Sequence, residues 1–425
     1  MTARKKRGVG LVLVATVVAM AAALLTPAVG GASAPKAVTV GKTINVGGIG
    51  LAKTYANDAP VGAQARFERA NKTNEVKGYT FTYKGLADDN NDPSTALSEA
   101  RRLVSQEGVV AIVPDVSIVP PTDYLTQSQI PSFGPGYSTA YCPTNPKTSW
   151  DFATYGCLIP ENPKQVANTN WVQLKKELAN KGVKSPTAAL IGTDSTSGQV
   201  SVAGSASAAE SAGFKVVYAK GSFPAPPTVV GDYTPYAQAL MTSNSGNPPD
   251  VLYSSIPATN ALGLFSLMKS QGYTGTILSP FYSSLLLKSL QGDYVFVQFS
   301  GFESNTAGIQ QMMQDVDAVN PNAPKTIGLA GGYFSADMFI QAIKAALKAN
   351  KTLTTASIQK AAQTMTYVNK GTAGPTTYPG ATKVANGCDT LLYDADGTAF
   401  TIAQPYTCNT TYAKVDPKFK GGYPK

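Results

Sequence analysis

From Lys42 onward the chain alternates short β-type runs with amphipathic helical runs, and that rhythm restricts the possible folds more than any other feature. Residues 43–47 read as a short buried strand, and 79–83 as a strand with strictly alternating faces. Residues 60–71, between them, read as a helix with Val61, Ala65 and Phe67 apolar. A second helix is expected over 93–108, with Pro93 in its first turn and Asp92 able to cap it. There Ala96, Leu97, Ala100, Leu103 and Val104 form one apolar face. A buried strand at 109–113 completes a β-α-β-α-β unit, which argues for a parallel sheet with helices on both faces.

The same rhythm starts again after Pro163. Helices are expected at 168–180, 198–212, 233–242 and 260–271, and strands at 187–191, 215–218, 251–254 and 276–278. Residues 332–349 read as a strong helix that returns to the first half, and the tail after Gly387 is strand-rich. No internal repeat is present. A chain of 425 residues exceeds what one compact core holds, so two α/β lobes are expected.

The beginning of the chain bears on its compartment. Arg4, Lys5, Lys6 and Arg7 precede an apolar run over 9–25, and small residues gather at Gly30, Gly31, Ala32, Ser33 and Ala34. That layout is a secretory signal, so residues 1–34 are expected to be removed on export; a retained anchor is the rival reading. No Cys lies near the segment, which excludes a lipid-anchored cysteine. The protein is therefore expected outside the cytoplasmic membrane.

Four Cys fall into two local pairs, Cys142 with Cys157 and Cys388 with Cys408. In an oxidising compartment two disulfides are the natural reading, with metal binding as a weak rival that no CxxC supports. The net charge of +9 is partly carried by the leader, and the remaining basic residues are scattered, so nucleic acid is not an expected partner. There is no His. Ser-His-Asp triads, Cys-His dyads and His-based zinc sites are thereby excluded, and no cofactor is expected.

Ligands of open parallel sheets sit at the carboxyl ends of strands. This selects loops 48–60, 114–121, 134–139, 193–198, 255–259 and 279–284. Tyr55 reads equally as a packed loop aromatic or a ligand contact, and Ser117 and Ser138 read also as local caps. The acidic run Asp88, Asp89, Asn90, Asn91, Asp92 lacks the Gly and distal Glu of a calcium loop, so a turn that caps the next helix is expected.

That run, from Ala87 to Pro93 and followed by Ala96, Ala100, Leu103 and Val104, resembles the signature of type I periplasmic binding proteins. More narrowly it is similar to the branched-chain amino acid (Leu/Ile/Val-binding) and amide group serving ABC importers. Other segments agree in order: Ile44 to Gly48, Gln129 to Phe133, Asp232 to Tyr236, Asp250 to Tyr253, and Tyr393 to Gly397. The resemblance implies an α/β fold of two Rossmann-like lobes with parallel central sheets, joined by a three-crossing hinge. Lobe 1 would hold 43–158 plus 304–399, and lobe 2 159–303 plus 400–425. It further implies a monomeric, non-enzymatic binder that clamps a small molecule and delivers it to an ABC transporter permease.

Carried over by position, the family's hydroxyl run after one strand falls on Ser117, Ile118 and Val119, and the next loop on Gly136, Tyr137 and Ser138. A second-lobe aromatic falls on Ser197, an acid that grips an ammonium falls near Phe281 and Tyr282, and the first-loop Tyr is kept as Tyr55. Only one hydroxyl of the run remains and no acid stands at 281 or 282. Burying an ammonium without a carboxylate is costly. The expected ligand is therefore a hydrophobic or aromatic carboxylate without a free α-amino group. An amino acid or amide binder with a non-standard site is one alternative, and the sensing subunit of a signalling receptor is another. A secreted enzyme lacks support, because no G-x-S-x-G stands at a strand-to-helix turn.

Overall fold

The computed structural model describes residues 37–53, 56–161, 163–225, 228–350, 352–408 and 412–424. The expected signal segment 1–34 and Tyr55 lie outside the described residues.

The first half runs β1 (Thr43–Gly50), α1 (Ala59–Lys72), β2 (Thr80–Asp88), α2 (Pro93–Ser105) and β3 (Ile112–Val116), then α3 (Thr122–Gln127), β4 (Ser132–Gly134) and β5 (Asp151–Ala153). The strand expected at 109–113 begins at Ile112 instead. The Val109 N–H turns back to the Leu103 carbonyl to close the preceding helix. Asp92 caps α2 as expected, accepting from the Thr95 N–H at 2.7 Å. Asn90 and Asn91 make the turn before it with positive φ, which short polar side chains tolerate. The five strands form a parallel sheet in the order β2-β1-β3-β4-β5.

The second half runs β6 (Gln165–Ala167), α4 (Thr169–Asn180), β7 (Thr187–Thr193), α5 (Thr196–Ser211), β8 (Lys215–Phe223), α6 (Thr234–Met241), β9 (Val251–Ser255), α7 (Ala258–Ser270), β10 (Thr276–Ser279) and β11 (Tyr294–Val297). After it come α8 (Ala307–Val319), α9 (Ile327–Ala349), α10 (Thr355–Ala362), β12 (Thr366–Asn369), β13 (Ala373–Thr377), β14 (Cys388–Asp394), β15 (Phe400–Cys408) and β16 (Tyr412–Lys414). The larger sheet has seven strands in the order β15-β14-β11-β10-β9-β7-β8. Its strands from β8 to β11 are parallel. The other edge is antiparallel, because β14 and β15 return along β11.

That edge differs from the expected division, which placed residues up to 399 with the first lobe. β11 is buried along its whole length and needs a partner on its open side. β14 supplies one, with Leu391 and Leu392 fully buried. The chain therefore joins the second sheet by residue 388. The tail then closes the opposite edge: Tyr423 exchanges two backbone hydrogen bonds with Ala219 of β8, at 2.7 and 2.8 Å. Covering an edge strand removes a template for unwanted pairing.

Helix α9 is buried on every side from Gly328 to Ile340, as a core helix should be, and only its last turns expose Lys344 and Lys348. It packs on α1, β3 and β4, as its expected return to the first half requires. Gly62 and Gly332 permit the close crossing of α1 and α9, since a Cβ on either would strike the facing backbone. Both expected disulfides are formed, Cys142–Cys157 and Cys388–Cys408.

Candidate functional site

Each sheet has one place where consecutive crossovers leave in opposite directions. In the first sheet it lies between β1 and β3, and in the second between β7 and β9. Crevices open at the carboxyl ends of such strand pairs, where no crossover fills the gap.

At the first crevice the chain ends meet at Gly50 and Val116. A Cβ on Gly50 would clash with Val116, so glycine sets the closeness of the two strands. Ser117 follows and is buried; its Oγ accepts the Val119 N–H at 3.0 Å, and its own N–H donates to Asp115 Oδ1 at 3.1 Å. Ser117 thus organises its own turn, with Ile118 exposed at the tip and Val119 half-buried. In the neighbouring loop Gly136 has φ of +104°, and a Cβ there would meet the Gly156 carbonyl at 2.6 Å. Tyr137 is half-buried, and burial pushes its hydroxyl well up. Ser138 caps the following turn by accepting from the Ala140 N–H at 3.3 Å.

Behind these loops lie three acids, Asp89, Asp115 and Asp151, all buried. Burial pushes the Asp115 carboxyl up to about 7, with Asp89 adding to the rise and Ser132 and the Ser117 N–H opposing it. Burial also raises Asp89, and raises Asp151 well above the usual range. Among the described residues no Lys or Arg forms an ion pair with any of the three.

The second crevice is built differently. Thr193 Oγ1 and Ser195 Oγ lie 2.8 Å apart, and Ser195 caps α5 by accepting from the Gly198 N–H at 3.1 Å. Ser197 stands half-buried in the first turn of α5. Across from it, at the end of β9, Ser255 Oγ is buried and makes no hydrogen bond. Helix α7 starts nearby with Pro257 at its cap and no side-chain acceptor for its first N–H groups. Uncapped helix starts favour carboxylates and carbonyls.

Phe281 is half-buried after β10, its N–H on Ser279 Oγ at 3.1 Å. Tyr282 is packed more deeply than its neighbour. It is 2% exposed, stacked against Phe302 with Phe400 on its other flank, and its hydroxyl is bonded to Glu303. Its backbone carbonyl accepts from Ile327 N–H at 3.2 Å, so it ties the second sheet to the start of α9. Thr326, the cap of α9, in turn donates to Asp58 Oδ2 at 3.2 Å.

Position in the sheets thus groups Ser117, Ile118 and Val119 at one crevice, Gly136, Tyr137 and Ser138 beside it, and Ser197 at the other. Asp58, Ser255 and Glu303 escaped the choice of individual residues, and Asp115 entered it only as the alternative to the 117–119 run if the loops are aligned a residue or two differently. Asp58, Asp115 and Ser255 all lie in the loops that the strand-end rule selects, whereas Glu303 lies outside them and is brought in by the packing of separate elements. The acidic run 88–92 makes a capping turn, and among the described residues no group of three or more acids, Cys or His is arranged to hold a metal.

Residues 39–396 match a family model described as periplasmic binding protein. No curated protein matches the chain. Among solved structures, a fatty acid ABC transporter substrate-binding protein from Thermomonospora curvata is 18% identical with a TM-score of 0.70, over 88% of this chain and 95% of that one. A branched chain amino acid ABC transporter from Thermus thermophilus with bound valine is 15% identical with a TM-score of 0.65, over 87% and 97%. A solute binding protein of an ABC transporter from R. palustris, in complex with 4-hydroxybenzoate, is 16% identical with a TM-score of 0.66, over 87% and 98%. At these identities the likeness concerns the fold.

Proposed function

The chain belongs to the periplasmic binding protein family, and from that premise we propose that it is the extracellular solute-binding protein of an ABC importer. It acts as a monomer outside the cytoplasmic membrane, closes two lobes on a small molecule without altering it, and passes it to a membrane permease. Among the described residues no helix is long and apolar enough to cross a membrane.

The ligand is a small hydrophobic or aromatic carboxylate, held between the two crevices. The observation that carries this reading is their opposite chemistry. The first crevice is backed by buried acids and edged by Ile118, Val119 and Tyr137, which suits an apolar body and disfavours an anion. The second offers Ser197, the unpaired hydroxyl of Ser255 and the uncapped start of α7, which suit a carboxylate. Phe281 adds apolar surface on the same side, and Tyr55 is assigned to the site by its place in the sequence after the first strand.

One observation favours an amino acid instead. Asp58 is mostly buried near the start of α1, with Thr326 as its hydrogen-bond partner, and a carboxylate there suits an ammonium.

A thermal-shift and calorimetry panel separates the two. It compares benzoate, 4-hydroxybenzoate and cyclohexanecarboxylate with leucine and valine. A ligand present at a hundred times its Kd stabilises by about 2.7 kcal/mol. Response to the acids alone supports the carboxylate reading. Tight leucine binding with silent acids overturns that ligand class and leaves solute binding intact. Silence throughout, with no co-purified molecule in native mass spectra, overturns solute binding.

A further inference from the structure

Asp115 is outside the positions assigned to ligand contact, yet the first crevice hangs from it. Its Oδ1 accepts the Ser117 N–H at 3.1 Å, its Oδ2 accepts the Ser132 hydroxyl at 2.8 Å, and its carbonyl accepts the Tyr141 hydroxyl at 3.0 Å. Ser117 begins the turn 117–119. Ser132 lies on β4, which leads into loop 136–138. Tyr141 ends the helical turn that Ser138 caps, one residue before the disulfide-bonded Cys142. Three separate segments therefore converge on one side chain and its own backbone. Asp115 is 1% exposed, so water does not compete for these bonds. Gly134 completes the packing, because a Cβ there would strike both the Asp115 carbonyl and the Tyr141 hydroxyl.

We propose that Asp115 is the positioning residue of the first crevice, holding turn 117–119 and loop 136–138 in one fixed relation through Ser117, Ser132 and Tyr141. The functional meaning of that role rests on the solute-binding reading above.

The groups facing Asp115 are Asp89 from the end of β2, Asp151 from β5, Ser132 from β4 and the Tyr141 hydroxyl. None is a cation. Ionising Asp115 places a negative charge beside the buried Asp89 and Asp151, and repulsion then loosens the segments it joins. Protonation relieves the repulsion and keeps both contacts, since Oδ1 still accepts the Ser117 N–H while a protonated Oδ2 donates to the Ser132 oxygen in place of accepting from it.

Hydrogen exchange of the full chain, read by mass spectrometry over peptides 112–121 and 132–142, tests this. After correction for intrinsic rates, wild type is expected to open roughly tenfold more at pH 8 than at pH 6 in both peptides, the scale of one lost hydrogen bond. Asp115→Asn should abolish that difference. Tyr141→Phe should keep it in the first peptide and break its coupling to the second. A flat wild-type profile, or a pH difference that persists in Asp115→Asn, overturns the proposal. If Asp115→Asn fails to fold, the wild-type profile and Tyr141→Phe decide. The expected profile with no responding ligand counts against solute binding and leaves the role of Asp115 standing; a responding ligand with a flat profile overturns the role of Asp115 alone.

Discussion

Tyr282 donates its hydroxyl hydrogen bond to Glu303 Oε1 at 2.6 Å, which joins the connection after β10 to the segment between β11 and α8. The other Glu303 oxygen is buried without a partner, so this bond carries much of the acid's compensation. Burial raises the Glu303 carboxyl, and Tyr282 partly offsets the rise. Tyr282→Phe keeps the ring packing and removes the donor. Urea denaturation should show a loss of about 1–3 kcal/mol, the cost of stranding a buried acceptor. Calorimetric affinity for any responding acid should stay unchanged; a large loss of affinity would return Tyr282 to the ligand surface.

Arg66 of α1 and Asp337 of α9 form a buried pair at 2.7 Å, with side chains 1% and 4% exposed. Asn369 and Gln341 also donate to Asp337, and Glu75 meets the far side of the guanidinium. Asp337→Ala leaves a buried cation with less compensation. Thermal and urea unfolding should show a cost of about 3–5 kcal/mol. A change under 1 kcal/mol would mean that the interface relaxes around the charge.

Asp389 sits at the start of β14 and accepts from the Asn170 N–H at the beginning of α4, and burial pushes its carboxyl up to about 7. Its ordinary value is 3.8, so the folded state binds this proton more tightly than the unfolded state. Its contribution to stability is fully present below about pH 4 and is lost as the pH rises through about 7. Asp389→Asn keeps an acceptor for Asn170 and cannot ionise. It should narrow the difference in unfolding free energy between pH 5 and pH 8, by at most about 3 kcal/mol. An unchanged difference would show that the carboxyl ionises freely in the folded state.

The Cys142–Cys157 bridge closes a segment of sequence separation 15 that contains β5. Replacing both residues by Ser should cost about 3 kcal/mol through the freed unfolded chain. Differential scanning calorimetry reads this directly, and an unchanged melting temperature would mean that the loop is held by Tyr141 and its neighbours alone.

Much of the fold was legible because helices and buried strands of this class advertise themselves by period. The face of Ala96, Ala100 and Leu103 in α2 and the mainly apolar run of α9 are such signals. The short strands were not legible. β4 and β5 are three residues each, too short for any periodicity, and Asp151 in β5 is an acid that no strand rule selects. β14 was legible as a strand, but not its sheet, because the open side of β11 is a property of the assembled layer.

The same boundary divides the site. By itself the sequence determined the alternating α/β order, the loops at strand ends, the local Cys pairs and the lack of His chemistry, since each is a matter of nearby residues or of composition. Only the tertiary structure decided that Tyr282 is a buried tie, that three acids gather behind Ser117, and that Asp115 joins segments up to 26 positions apart. Burial and charge proximity arise between elements distant in the chain, so no local pattern encodes them.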